Sequence, residues 1–265
     1  MGMSDYLLDN AWQQQRRRLA LLESWFDPDT IRHLEALGVA PGWRCLEVGA
    51  GGGSIAEWLA ARVGPDGGAL ATDLDTRFLD ALDTPNVEVR RHDIVTDPLP
   101  EASFDLAHAR FVVEHLPDRM AALRPMAAAL KPGGWLLIES TDHCSWLPDP
   151  SAPAADAALF SAFTAAFLQL FRLSGVDVNA GRALYGELRA LGLEEIGAEG
   201  RVFMARGGSP EAEVWRLTAE QVSERLVAAG LLSADEMART LALMATPDFA
   251  WMEGLVMAGW GRKPR

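Results

Sequence analysis

Leu46-Glu47-Val48-Gly49-Ala50-Gly51-Gly52-Gly53-Ser54 joins a short apolar run, Arg44 to Val48, to a helical one, Ser54 to Val63, that Gly64-Pro65 stops. Glycines at such a junction let the backbone turn sharply and let a ligand approach the main chain without meeting Cβ atoms. The spacing is E-x-G-x-G-x-G. A dinucleotide fingerprint would be G-x-G-x-x-G, and counting from Gly49 and Gly51 its third glycine falls on Ser54.

Working outward, Ala69 to Thr72 reads as a second strand, Asp75 to Leu82 as a helix and Val87 to Arg90 as a third strand. Phe104 to Ala109 is a fourth strand, with a helix starting near Pro117. Lys131-Pro132-Gly133-Gly134 is a tight turn feeding a fifth, Trp135 to Glu139. Short apolar strands alternating with helices predict an α/β fold, a parallel sheet with helices on both faces. Open sheets of this kind bind ligands at the carboxyl ends of their strands. Asp73 stands at such an end, where a carboxylate can accept both ribose hydroxyls of a nucleoside. His92-Asp93-Ile94 follows the third strand: Asp93 can accept from an exocyclic amino group while Ile94 packs on an adenine face.

Before this core, Trp12, Leu19, Leu22 and Phe26 form one apolar face of a helix from Ala11 to Phe26. Arg16, Arg17 and Arg18 read as its solvated face. Asp27-Pro28 closes that helix and opens a second that runs to Gly38. After residue 140 the rhythm changes. Residues 142–153 are Pro-rich loop, Ala154 to Leu173 is a long apolar helix, Ala183 to Leu191 another, and residues 193–204 a strand. Residues 210–246 are helical, with capping-box spacings at Thr218-x-x-Gln221 and Ser233-x-x-Glu236. A last strand runs from Trp251 to Trp260. The expected organisation is a helical cap over 1–40, a core over 41–141, and a helical insertion over 142–178. The core continues over 179–206, a second helical insertion spans 207–247, and 248–265 holds the final core strand.

These motifs resemble the class I S-adenosylmethionine-dependent methyltransferases of small-molecule, bacterial secondary-metabolism type. The likeness rests on Glu47, Gly49, Gly51 and Gly53, on Asp73 and Asp93, on the Phe104-Asp105 strand start, and on Leu130-Lys131-Pro132-Gly133-Gly134. It implies a Rossmann-like, seven-stranded, mostly parallel sheet whose last strand is antiparallel. It also implies S-adenosyl-L-methionine as cofactor and S-adenosyl-L-homocysteine as its product. Glu47, Gly49, Ala50 and Gly51 would then lie at the methionine part, Asp73 and Leu74 at the ribose, and Asp93 with Ile94 at the adenine. Arg110 would contribute mainly backbone.

Several acceptors are argued down. After the fourth strand the chain reads Ala109-Arg110-Phe111-Val112, not the Asn/Asp-Pro-Pro-aromatic of base-methylating enzymes, nor the carboxylate a catechol-type metal site needs. No metal is therefore expected. A net charge of -13 repels phosphate backbones and anionic membranes. No apolar run reaches the ~18–20 residues of a membrane span. Cys45 and Cys144 have neither redox nor metal spacing. A cytoplasmic monomer or homodimer acting on a small apolar or aromatic metabolite is the expectation.

Phe160, Phe163, Phe167 and Phe171 fall within a stripe of roughly 80° on one helix. With Trp146 this stripe is either core or the wall of an acceptor pocket, and the binding candidates are Tyr6, Trp12, Trp146, Phe163 and Phe167. His115, in Phe111-Val-Val-Glu-His-Leu-Pro, and His143, after the fifth strand, are the candidate bases. His33, His92 and His108 read as structural or exposed. Two other functions stay open. One is a methyltransferase-fold cyclase or isomerase that binds the cofactor without methyl transfer, and the other is an NAD(P)-dependent oxidoreductase.

Overall fold

The computed structural model describes residue 8, residues 13–80 and residues 82–265. In chain order the elements are α1 (Gln15–Ala36), β1 (Arg44–Val48), α2 (Ser54–Val63), β2 (Gly68–Asp73), β3 (Val87–Arg91) and β4 (Phe104–Arg110). Then come α3 (Arg119–Ala129), β5 (Leu130–Asp142), β6 (Leu147–Pro148), α4 (Ala154–Leu173), α5 (Leu184–Ala190) and β7 (Glu194–Arg201). The chain ends with β8 (Met204–Arg206), α6 (Pro210–Ala228), α7 (Ala234–Met244), β9 (Ala250–Met252) and β10 (Leu255–Arg262).

The chain divides into two compact units. Unit 2 comprises Phe26–Thr141, Ala180–Gly200 and Val256–Arg265. It carries a seven-stranded sheet in the order β3-β2-β1-β4-β5-β10-β7. The pairs β1–β2, β1–β4, β2–β3 and β4–β5 are parallel. The end of β10 bonds to the start of β5 (Gly133 N–H to Lys263 O, 2.9 Å; Lys263 N–H to Gly134 O, 2.8 Å), so β10 runs against it. The buried run of β1 and β4, with Cys45, Leu46, Leu106 and Ala107 fully covered, is what a central parallel strand requires. The fold is the α/β Rossmann-like sheet expected from the alternation.

Unit 1 comprises the described residues up to Trp25, together with Asp142–Asn179 and Arg201–Leu255. Its core is aromatic: Trp146, Phe160, Phe163, Phe167, Phe171, Phe249 and Trp251 pack with Val222, Leu226 and Met237. A three-stranded sheet, in the order β6-β9-β8, is antiparallel at both pairs.

Several elements depart from the sequence-based expectations. Pro28 lies inside α1, which runs unbroken from Gln15 to Ala36. A proline removes one N–H and strains one turn. Here the residues on either side of it are tied elsewhere in unit 2, Asp27 and Thr30 both accepting from Arg110 (2.7 and 2.8 Å). The helix expected over 75–82 is a single 3-10 turn, Thr76–Phe78, capped by Asp75. Thr218 caps nothing: it sits within α6 and its hydroxyl donates to Val214 O. Ser233 and Glu236 do form a complete capping box on α7. The strand expected over 193–204 is two, β7 and β8, and the strand over 251–260 is also two, β9 and β10; in each case the two lie in different sheets. Finally, α4 is long and apolar enough, by length and composition alone, to cross a membrane, contrary to the expectation that no run would be. Its Phe160, Phe163 and Phe167 are buried in the aromatic core of unit 1.

Candidate functional site

The glycine turn of unit 2 follows β1 at the centre of the sheet. Gly49 and Ala50 both donate backbone N–H to Thr72 O (2.8 and 3.0 Å), which fastens the turn to the end of β2. Gly49 has φ +69°, and a Cβ there would lie 2.2 Å from Val112 Cγ2. Neither the torsion nor the space admits a side chain. Gly53, with φ +96°, precedes α2 and makes no side-chain cap. A helix N-terminus without a side-chain cap is a favourable position for a carboxylate.

Asp73 pins the same turn. Its Oδ2 accepts from Gly51 N–H and its Oδ1 from Asp75 N–H, each at 3.0 Å. Burial pushes its pKa up, against these hydrogen bonds, which hold it down. Each oxygen keeps further acceptor capacity for a hydroxyl. Leu74, next to it, is 49% exposed. Asp93 accepts from Val95 N–H at 2.9 Å and caps its own turn. Ile94 is buried with Leu46, Val48, Leu70 and Val113.

Glu47 and Arg110 serve the interior. The Glu47 carboxylate receives His108 Nδ1 at 2.6 Å, and His108 Nε2 lies 3.3 Å from Glu139. Glu139 also accepts from His33 Nδ1 at 3.0 Å and from the Thr30 hydroxyl. Burial alone would lower the His108 pKa, but Glu47 and Glu139 carry it up to about 9. For Glu139, burial would raise the pKa, and the hydrogen bonds from His108 and His33 with the charges of His108 and Arg110 hold it well below the usual range. An imidazolium between two carboxylates thus lies beneath the glycine turn. The Arg110 guanidinium is engaged with α1, and the next residue, Phe111, has φ +57° and donates to Glu139 O.

The candidate bases fall in different units. His115 closes a 3-10 turn, Val113–His115, beyond β4 in unit 2 and is half-buried. Its neighbour Glu114, unremarked in the sequence reading, is 3% exposed and accepts from Ser140 Oγ at 2.9 Å. Burial pushes the Glu114 carboxyl up to about 7, against that hydrogen bond and the Arg119 charge. Only its place at a strand end signalled it, since a Glu in a loop is ordinarily solvated. His143 belongs to unit 1 and packs 5.3 Å from Trp146 and 5.9 Å from Trp215 by ring centres. Burial, with the charge of Arg172, lowers its pKa to about 4. Trp146, Phe163 and Phe167 come together in the unit 1 core, Trp146 edge-on to both rings. Tyr6 and Trp12 lie outside the described residues. Among the described residues, no group of three His, Cys, Asp or Glu could hold a metal ion.

Residues 46–138 match the family model described as a methyltransferase domain. Methyltransferase str2 of Strobilurus tenacellus is 39% identical over 100 residues, 37% of this chain and 36% of that protein. The ubiquinone/menaquinone biosynthesis C-methyltransferase UbiE of Ectopseudomonas mendocina is 33% identical over 113 residues, 40% of this chain and 44% of that protein. These matches therefore span less than half the length of the relatives. In fold, the chain is similar to phosphoethanolamine N-methyltransferase 2 of Haemonchus contortus, solved with phosphomonomethylethanolamine and S-adenosylhomocysteine. That likeness has a TM-score of 0.62 and 16% identity, covering 100% of this chain and 61% of that one. The sheet order and the glycine turn agree with the fold that the resemblance implies, and residues 46–138 are similar to a methyltransferase domain.

Proposed function

We propose that the chain is a metal-independent, S-adenosylmethionine-dependent methyltransferase acting on a small apolar or aromatic metabolite in natural-product biosynthesis. The observation that carries this reading is Asp73, whose carboxylate braces Gly51 at the carboxyl end of β2 while keeping acceptor capacity free. The residues fit the cofactor. Gly49 leaves a bare backbone where a side chain would collide, and Leu74 offers an exposed apolar surface beside Asp73. Gly49, Ala50 and Gly51 would hold the methionine part, Asp73 the ribose, and Asp93 and Ile94 the adenine. Glu47 and Arg110 would act by fixing the turn and the chain after β4, since their side chains are already engaged.

The bound cofactor supplies an electrophilic methyl group, and the protein's task is orientation and exclusion of water. A base is needed only for an acceptor that must lose a proton. His115 and His143 are our candidates, and Glu114 joins them because its carboxyl titrates near neutrality. For acceptor recognition, Trp146, Phe163 and Phe167 are our candidates.

Calorimetric titration with S-adenosylhomocysteine tests the cofactor reading: wild type should bind and Asp73→Ala should lose roughly 1.5–3 kcal/mol per hydrogen bond removed. Binding of NADH without S-adenosylhomocysteine would replace it with a dehydrogenase. Methyl-labelled cofactor, incubated with aromatic amines, phenols and indoles, then separates transfer from rearrangement. A rearranged but unlabelled product would favour the cyclase.

A further inference from the structure

Unit 1 buries polar atoms that it does not satisfy. Glu253 is 2% exposed, and neither carboxyl oxygen has a hydrogen-bond partner among the described residues. The indole N–H groups of Trp251 and Trp215 lie near enough to favour its charged form, yet neither closes a hydrogen bond. Trp146 Nε1 and His143 Nδ1 are likewise buried and unpartnered among the described residues. Buried polar groups in folded proteins are nearly always paired, so a cluster of unpaired ones calls for a missing partner.

These side chains come from three separate segments held firmly together. The rings of Trp146 and Trp215 are 4.5 Å apart, and Phe167 lies 6.1 Å from Trp215. Ser145 Oγ donates to Glu253 O at 2.8 Å, and Glu253 N–H donates to Phe203 O at 2.9 Å. A Cβ on Gly254 would lie 2.6 Å from His143 Nδ1, so the chain at Glu253 is packed directly on the histidine. His143 and Trp215 are half-buried while Trp146, Trp251 and Glu253 are buried. The cluster therefore reaches the surface at one edge and ends inside on a carboxyl.

The electrostatics select the partner. Burial drives the Glu253 carboxyl well above the ordinary range, and among the described residues the charge that acts on it is the carboxylate of Glu211, of the same sign. An anion would be repelled by Glu211 and by any charge on Glu253, and a neutral ligand would leave Glu253 in its protonated form with no charge to recognise. A cation that donates hydrogen bonds satisfies both oxygens, and indole faces attract positive charge. We propose that Glu253, with Trp146, Trp215 and His143, forms a site within unit 1 for a protonated amine carried on an apolar or aromatic body. The ammonium donates to Glu253, and the body packs against the indoles.

The test is binding in the absence of cofactor, followed by tryptophan fluorescence and calorimetry, with phenethylammonium and its neutral counterpart 2-phenylethanol. Wild type should bind the ammonium saturably and the alcohol at least about tenfold more weakly. Glu253→Gln should bring the two to parity, and Glu253→Asp should keep the preference for the cation. Equal binding of the alcohol, no saturable binding of the ammonium, or an undiminished preference in Glu253→Gln would each overturn the proposal. Should Glu253→Gln fail to fold, the wild-type comparison and Glu253→Asp decide the matter. Since no cofactor is present, failure here leaves the methyltransferase reading standing, and loss of S-adenosylhomocysteine binding would leave this site untouched.

Discussion

His108 donates to Glu47 across 2.6 Å inside the sheet of unit 2, one strand away from the glycine turn that Glu47 precedes. The contact ties β4 to β1, and Glu139 on β5 extends it. Removing the imidazolium leaves two buried carboxylates facing each other. His108→Gln should therefore cost about 3–5 kcal/mol of stability at pH 7, the usual penalty for breaking a buried ion pair from one side. Urea unfolding measures it, and a loss under about 1 kcal/mol would show that the network is not charged.

The same histidine sets a pH dependence. Its folded pKa of about 9 lies above the unfolded value of 6.5, so its stabilisation is complete below pH 6.5 and is lost as pH rises through 9. The Tm of wild type should fall between pH 7 and pH 9.5, and His108→Gln should flatten that fall.

Glu114 works in the opposite sense to an ordinary surface acid. Its folded pKa of about 7 exceeds the reference 4.5, so burying its charge destabilises the fold progressively from pH 4.5 to 7. Glu114→Gln should raise stability at pH 8 by on the order of 3 kcal/mol and have little effect at pH 4.5. If Glu114 is also a base, the variant loses the rise of turnover with pH through about 7 while keeping its affinity for S-adenosylhomocysteine.

Gly49→Ala combines a left-handed torsion with a collision against Val112. The torsion alone costs roughly 1–2 kcal/mol. Combining Gly49→Ala with Val112→Ala should recover the collision but not the torsion, leaving cofactor affinity below wild type in calorimetry.

Phe163 has no exposed surface and lies in the aromatic core of unit 1. Phe163→Ala should lower stability by about 3–5 kcal/mol through the cavity it leaves. Titration with S-adenosylhomocysteine below the melting temperature should show unchanged affinity, because Phe163 belongs to the other unit from the glycine turn.

The amino-acid order alone determined the core of unit 2. β1 and α2 are found at the residues that the apolar run and the Gly64-Pro65 stop mark out, and Asp73 stands where the strand ends. Such features depend on neighbours within a turn or two, and glycine, proline and apolar periodicity report them directly. Tertiary structure alone decided the rest. Nothing near His108 in sequence shows that it sits between Glu47, 61 residues away, and Glu139, 31 residues away. Glu114 and Glu253 read as ordinary surface acids until packing buries them. Burial and pairing are properties of what other segments bring alongside, so a titration or an unmet hydrogen bond emerges only when the chain has closed on itself.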